Sequence, residues 1–294
     1  MFSIKSSVLS LLIIGYFSSV RAQDSTKVAK KSYFKASTSY LTNAVYGGRK
    51  DSLVNPYITP SIGYFHKSGF FIEGSLSYLA ASGDSRIDLF ALQTGYDFTF
   101  RDKLYGGFYA SKYFYANSST AVRSESKGSL GGNLSYDPGF ATFSGGADLS
   151  FSKKTDINVI GAISHPFYIG DTGNEWSITP TTSVNLGTQN YYQDYLVNRK
   201  SKVGRRSSGG KKGSNSGSAV TSTVKTNSSS SFNLLDYELS LPITYDGKKW
   251  GVYFTPIYAI PQNPISIPSS TGTGYETESL ENTFYADLGI YIKF

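Results

Sequence analysis

The chain has 294 residues, with 30 Gly, 24 Tyr, 19 Phe, no Cys and Met only at position 1. Zero Cys removes disulfides, thiolate metal sites and cysteine nucleophiles together, and the Gly and aromatic content suits twisted β-structure better than helices. The net charge of +7 does not point to nucleic acid, because the basic residues gather in one run with no interleaved aromatic platform.

In chain order, the first residues read as an export leader. Lys5 supplies a positive start, Val8 to Phe17 is a short apolar run, and Val20-Arg21-Ala22 resembles a signal-peptidase site. Residues 1–22 are therefore expected to leave as a signal peptide, and 23–294 to form one domain. The apolar run is too short for a spanning helix, which needs about 20 residues. No later stretch is apolar for long enough either, but barrel strands alternate and escape that test.

Period-2 alternation between turn signals gives twelve candidate strands, at about 33–45, 55–66, 70–81, 86–100, 104–116, 127–136, 140–151, 156–168, 175–187, 232–245, 250–260 and 280–294. Most exceed the usual strand of a soluble sheet, and suit a tilted membrane strand of about 9–11 residues plus its rims. The expected fold is all-β: a transmembrane antiparallel up-and-down β-barrel of about 12 strands.

Alternate connections are tight. Lys67-Ser68-Gly69, Arg101-Asp102-Lys103, Asp137-Pro138-Gly139, 169–174 and Asp246-Gly247-Lys248-Lys249 carry Gly, Asp and Pro at bend positions. Most of the others are longer, at 46–54, 117–126, 188–231 and 261–279, with 82–85 and 152–155 the short exceptions. Short periplasmic turns and longer external loops produce this asymmetry, with both termini periplasmic. Aromatics bracket each tight turn: Phe65 and Phe70, Phe100 and Tyr105, Tyr136 and Phe140, Tyr168 and Trp176, Tyr245 and Trp250. Such rings suit a membrane interface.

The last strand alternates cleanly. Phe284, Ala286, Leu288, Ile290, Ile292 and Phe294 share one face, and Tyr285, Asp287, Gly289, Tyr291 and Lys293 the other. A strand of this kind ending at Phe294 resembles the assembly signal of bacterial outer-membrane β-barrel proteins. That resemblance implies a cell outer-membrane location in a Gram-negative bacterium, recognition of Phe284, Leu288, Ile290, Ile292 and Phe294 by the barrel assembly machinery, and contact with outer-membrane lipids and lipopolysaccharide. The hairpin Gly69-Phe70-Phe71-Ile72-Glu73-Gly74 is also similar to small porins.

Catalytic and metal chemistry find little material. The two histidines, His66 and His165, are far apart and fall towards the periplasmic ends, so neither a base beside a serine nor a ligand set is evident. One family of twelve-stranded barrels holds a Ser–His–Asn phospholipase site near the external rim, a position that neither histidine matches. Asp171 to Glu175 lacks the length of a calcium loop, and in Gly204 to Ser214 Lys211 precedes Lys212 rather than the Ser or Thr of a phosphate loop. No enzyme activity, cofactor or metal is expected.

The 188–231 segment is low complexity. Within it Arg199, Lys200, Lys202, Arg205, Arg206, Lys211, Lys212 and Lys225 stand with no acid between Val197 and Phe232, so the rest of the mature chain is mildly acidic. It reads as an external loop. By parity, Glu73, Asp88, Gln93, Asp97, Asn133, Asp148, Asn158, Asp236, Glu238 and Asp287 point into the lumen, since charges face lipid only at a cost. Two functions fit: a narrow or gated porin-like channel for small hydrophilic solutes, or a plugged structural barrel acting through its loops. A barrel of this size lies between filled and wide-pore classes.

Overall fold

The computed structural model describes residues 31–50, 54–81, 85–100, 103–119, 124, 126–171, 174–190, 231–264, 266–268 and 275–294. The expected leader and 191–230 of the basic segment lie outside the described residues.

Alternating apolar and polar positions fold into a closed antiparallel barrel of twelve strands. The first seven are β1 (Tyr33–Leu41), β2 (Tyr57–Phe65), β3 (Phe70–Leu79), β4 (Arg86–Phe100), β5 (Leu104–Tyr115), β6 (Gly128–Tyr136) and β7 (Thr142–Phe151). Three strands follow in two pieces each: β8 (Thr155–Ser164 and Phe167–Asp171), β9 (Asn174–Ile178 and Thr181–Gly187) and β10 (Asn233–Ser240 and Ile243–Gly247). β11 (Trp250–Pro261) and β12 (Thr283–Lys293) complete the ring. β12 pairs with β11 on one side and with β1 on the other, from Lys35 opposite Lys293 to Leu41 opposite Asp287. Closure leaves no long edge for another chain to pair with.

The breaks in β8, β9 and β10 have one cause. Pro166, Pro180 and Pro242 lie in neighbouring strands, and Pro256 continues the row in β11. Proline has no N–H to give a ladder. The preceding residues hold the seam: His165 N–H donates to Pro180 O (3.3 Å), Thr179 N–H to Pro242 O (2.9 Å) and Leu241 N–H to Pro256 O (3.1 Å). The continuous strands expected at 156–168, 175–187 and 232–245 are each interrupted there, while pairing resumes beyond.

Apolar side chains stand outside all round the ring, including Phe34, Ile62, Phe108, Leu134, Ile163, Leu239 and Ile290. A soluble protein seldom exposes so continuous an apolar surface. The ring of aromatics at the short turns is thinner than the sequence suggests. Phe70, Phe100, Tyr136, Phe140, Trp176 and Trp250 are exposed, but Phe65 and Tyr105 are buried inside. Residues flanking a tight turn can fall on opposite faces, because side chains alternate along each strand. At the first of these turns Gly69 has φ 109°, and a Cβ there would lie 2.0 Å from the Asp97 carbonyl oxygen.

Candidate functional site: a hairpin across the lumen

Between β1 and β2, residues 42–50 and 54–56 turn inward at the long-loop end. Thr42 N–H donates to Ala286 O (2.9 Å), Asn55 N–H to Asn43 Oδ1 (3.0 Å) and Ala44 N–H to Asn55 O (3.1 Å), which fixes its base. Val45–Tyr46 then pairs with Arg49–Lys50 around Gly47 and Gly48, at φ 56° and 71°. Positive φ at both central residues is the two-residue turn that glycine permits. The Gly47-Gly48 pair was the available sequence signal for this hairpin.

The hairpin crosses the mouth. Tyr46 O–H donates to Asn158 Oδ1 at 2.8 Å, on β8, nearly opposite β1 and β2 in the ring. Gly48 is wedged against β10 and β11: a Cβ there would sit 2.7 Å from Pro261 Cβ and 3.0 Å from Asp236 Cβ. Arg49 donates from Nε to Glu278 Oε1 (3.1 Å) and from its second terminal nitrogen to Gln262 O (3.1 Å) and Asn263 O (2.9 Å). The pairing joins the first connection to the last. Val45 is 1% exposed, and with Ala44 it joins a core of Leu41, Tyr57, Leu79, Leu89, Ile257 and Tyr285.

Towards the short-turn end the lumen changes character. On β5–β7 the inward positions Gly107, Gly131, Ser144 and Gly146 are small, and the inward Asn133 is exposed to solvent. Lower still, Tyr33 stacks on Phe65 (5.2 Å between centroids) and Phe65 on Phe71 (5.8 Å). Lys35 Nζ lies 5.6 Å from the Phe65 ring and 5.7 Å from the Tyr291 ring. Lys293 Nζ lies 4.9 Å from the Tyr291 ring and 3.2 Å from Asp246 Oδ1, which also accepts from Tyr291 O–H. Such cation–ring contacts gain strength where water is excluded.

The ten residues expected by parity to face the lumen do not form one group. Asp88 accepts from Tyr57 O–H (2.7 Å), Ser119 O–H (2.7 Å) and Arg86 Nε (2.9 Å). Asp148 accepts from Tyr109 O–H (3.3 Å) and Asn158 Nδ2 (3.4 Å). Asp236 accepts from Asn185 Nδ2 (2.5 Å), and Glu238 from Tyr285 O–H (2.9 Å). Gln93 Nε2 donates to Ser111 Oγ (3.1 Å). Glu73 and Asp287 are buried, Asp97 is half-buried, and Asn133 is the open one. Several of these polar groups therefore serve wall-to-wall hydrogen bonds, as most buried polar atoms do.

Sequence reasoning missed Arg49, Tyr46, Lys35 and Asp156. Asp156 accepts from Thr188 O–H (2.6 Å) and Asn190 N–H (2.8 Å), tying β8 to the chain after β9. The histidines lie apart. His66 Nδ1 is 2.9 Å from Ser68 Oγ within one exposed turn, and His165 meets Phe167 edge-on at the proline row. Among the described residues, no three His, Asp or Glu are grouped to hold a metal.

No protein-family model and no curated relative matches the chain. Among solved structures it is similar to a KdgM porin at 8% identity, over 90% of this chain and 99% of that one, with a TM-score of 0.45. It is similar to a NanC porin at 9% identity over 89% and 100% of the two chains, with a TM-score of 0.44. LpxR from Salmonella typhimurium is similar at 10% identity over 89% and 100%, with a TM-score of 0.45.

Proposed function

We propose that this chain is an outer-membrane β-barrel acting as a narrow porin-like channel for small hydrophilic solutes, closed in the observed conformation by the hairpin 45–50. The observation that carries the reading is the hairpin itself: it crosses the long-loop mouth to Asn158 while an inward Asn133 below it is open to solvent. The continuous apolar exterior supports a bilayer surrounding, and the short turns are assigned to the periplasmic side. Inward acids favour cations as the solute class. No catalytic step is assigned to the chain.

Planar-bilayer conductance of the refolded protein tests this. The intact chain is expected to open rarely and briefly. A variant with residues 45–50 replaced by a Gly/Ser linker is expected to conduct steadily and to prefer cations. Absence of steps from both, in a protein that has folded into the bilayer, would overturn the channel.

A second reading has its own observation. The packing of Val45 among Leu41, Tyr57, Leu79, Ile257 and Tyr285 is core-like, as in a permanently plugged barrel that presents its loops to lipopolysaccharide or a partner. That barrel would stay silent after hairpin replacement and would lose stability instead.

A further inference from the structure

Lys112 interrupts the apolar exterior. β5 sends Tyr105, Gly107, Tyr109, Ser111 and Tyr113 inward, and Phe108, Ala110, Lys112 and Phe114 outward. Lys112 is paired with Leu92 on β4 and Gly128 on β6. Phe90 and Phe114 stack beside it at 5.8 Å, and its Nζ is 5.7 Å from the Phe114 centroid. Among the described residues of the barrel strands, Asp171 is the other ionisable Asp, Glu, Lys, Arg or His group outside, towards the short-turn end, while the half-buried His165 lies in the proline break of β8. Lys112 alone lies near the long-loop rim, three positions from the end of β5.

The register extends from Lys112 along one rim. Gly128 pairs with Phe151, and Phe151 with Thr155, reaching the β7–β8 turn, where Lys153 and Lys154 are exposed. Three inter-strand steps of about 4.8 Å put the two ends of this row about 14 Å apart. The acids of the same strands near this rim, Asp148 and Asp156, are buried on the lumen side. Lys67 is exposed too, but it lies in the β2–β3 turn at the opposite, short-turn end.

We propose that Lys112, Lys153 and Lys154 bind the phosphate groups of an anionic glycolipid, lipopolysaccharide, in the leaflet around the long-loop end. A lysine on a lipid-facing wall is costly unless its ammonium can reach the headgroup level and a counter-charge there. The exposed rings of Phe90, Phe114 and Phe151 supply the apolar boundary below the cations. The inference rests on the outer-membrane reading, and its test separates the two.

The test uses the full mature chain refolded into zwitterionic lipid vesicles, with thermal unfolding read by heat-modified migration on a gel. Added bis-phosphorylated lipid A is expected to raise the unfolding temperature of the wild type. The triple variant K112A/K153A/K154A should fold but lose most of that rise, whereas K67A, at the opposite end, should keep it. Dephosphorylated lipid A should give none. An equal rise in the triple variant, with dephosphorylated lipid, or with inorganic phosphate alone would overturn the site while leaving the barrel intact. Failure to form a heat-modifiable barrel in plain vesicles would overturn both readings.

Discussion

At the long-loop end the lumen is occupied by a segment that is not part of the wall, whereas at the short-turn end the occupying side chains belong to the wall strands. The first is a hairpin seated on Leu41, Tyr57 and Ile257 and anchored by Tyr46 and Arg49. The second is a layer of Lys35, Phe65, Tyr291, Lys293 and Asp246. A segment on a tether can leave without breaking the barrel ladder, but wall side chains can only change rotamer. The lumen thus holds a removable part and a fixed part. Conformational change in such a molecule requires two discrete arrangements, and the tethered hairpin is the element able to supply them.

Arg49→Ala should break this contrast most strongly. The Arg49 and Glu278 side chains are 2% and 9% exposed. Removing one partner of a buried pair costs about 3–5 kcal/mol. Glu278 regains water once the hairpin leaves, so that cost falls on the closed state. The open population is expected to rise by about two orders of magnitude or more, since about 1.4 kcal/mol is tenfold. Single-channel recording reads it directly; unchanged open times in a folded variant would show that the pair is no latch. Glu278→Gln should act in the same direction with a smaller effect, because the amide can still accept from Arg49.

Tyr46→Phe probes the far anchor and should do less. It removes one neutral hydrogen bond, to Asn158 Oδ1 at 2.8 Å, while the ring keeps its packing. The net loss is about 1 kcal/mol, giving about a fivefold gain in open time. A gain as large as that of Arg49→Ala would mean that the hairpin pivots on its tip rather than on its tether to the last loop.

The wall was legible in the sequence because alternation has a period that one face must obey, and a charge on the wrong face is costly. Strands such as Phe70–Leu79 and Arg86–Phe100 fall where the pattern puts them. The hairpin was not, because four strand residues around Gly47-Gly48 carry no period, and inward folding depends on Asn158 and Glu278, which are distant in sequence. The proline seam was half legible: Pro166, Pro180 and Pro242 are plain in the chain, but their alignment appears only once the register is known. Parity placed Asp88 and Glu238 on the inner face but could not say that Tyr57 and Tyr285 would occupy their oxygens.

The smallest expected effect lies at the fixed end, and it sharpens the comparison because it should leave gating alone. Lys293→Gln removes the cation that sits 3.2 Å from Asp246 Oδ1, while Tyr291 O–H still donates to that carboxylate. Asp246 loses the cation beside it, so the layer becomes more attractive to cations. A partly exposed pair of this kind contributes about 0.5–1 kcal/mol, which corresponds to about a twofold to fivefold increase in cation over anion permeability. The measurement needs the hairpin out of the way, so the variant is made in the 45–50 linker background and read as a reversal potential across a salt gradient. Open times should match those of the linker background, because the hairpin that would set them is replaced in both. A shift in open time without a shift in selectivity would mean that the two ends are coupled through the wall.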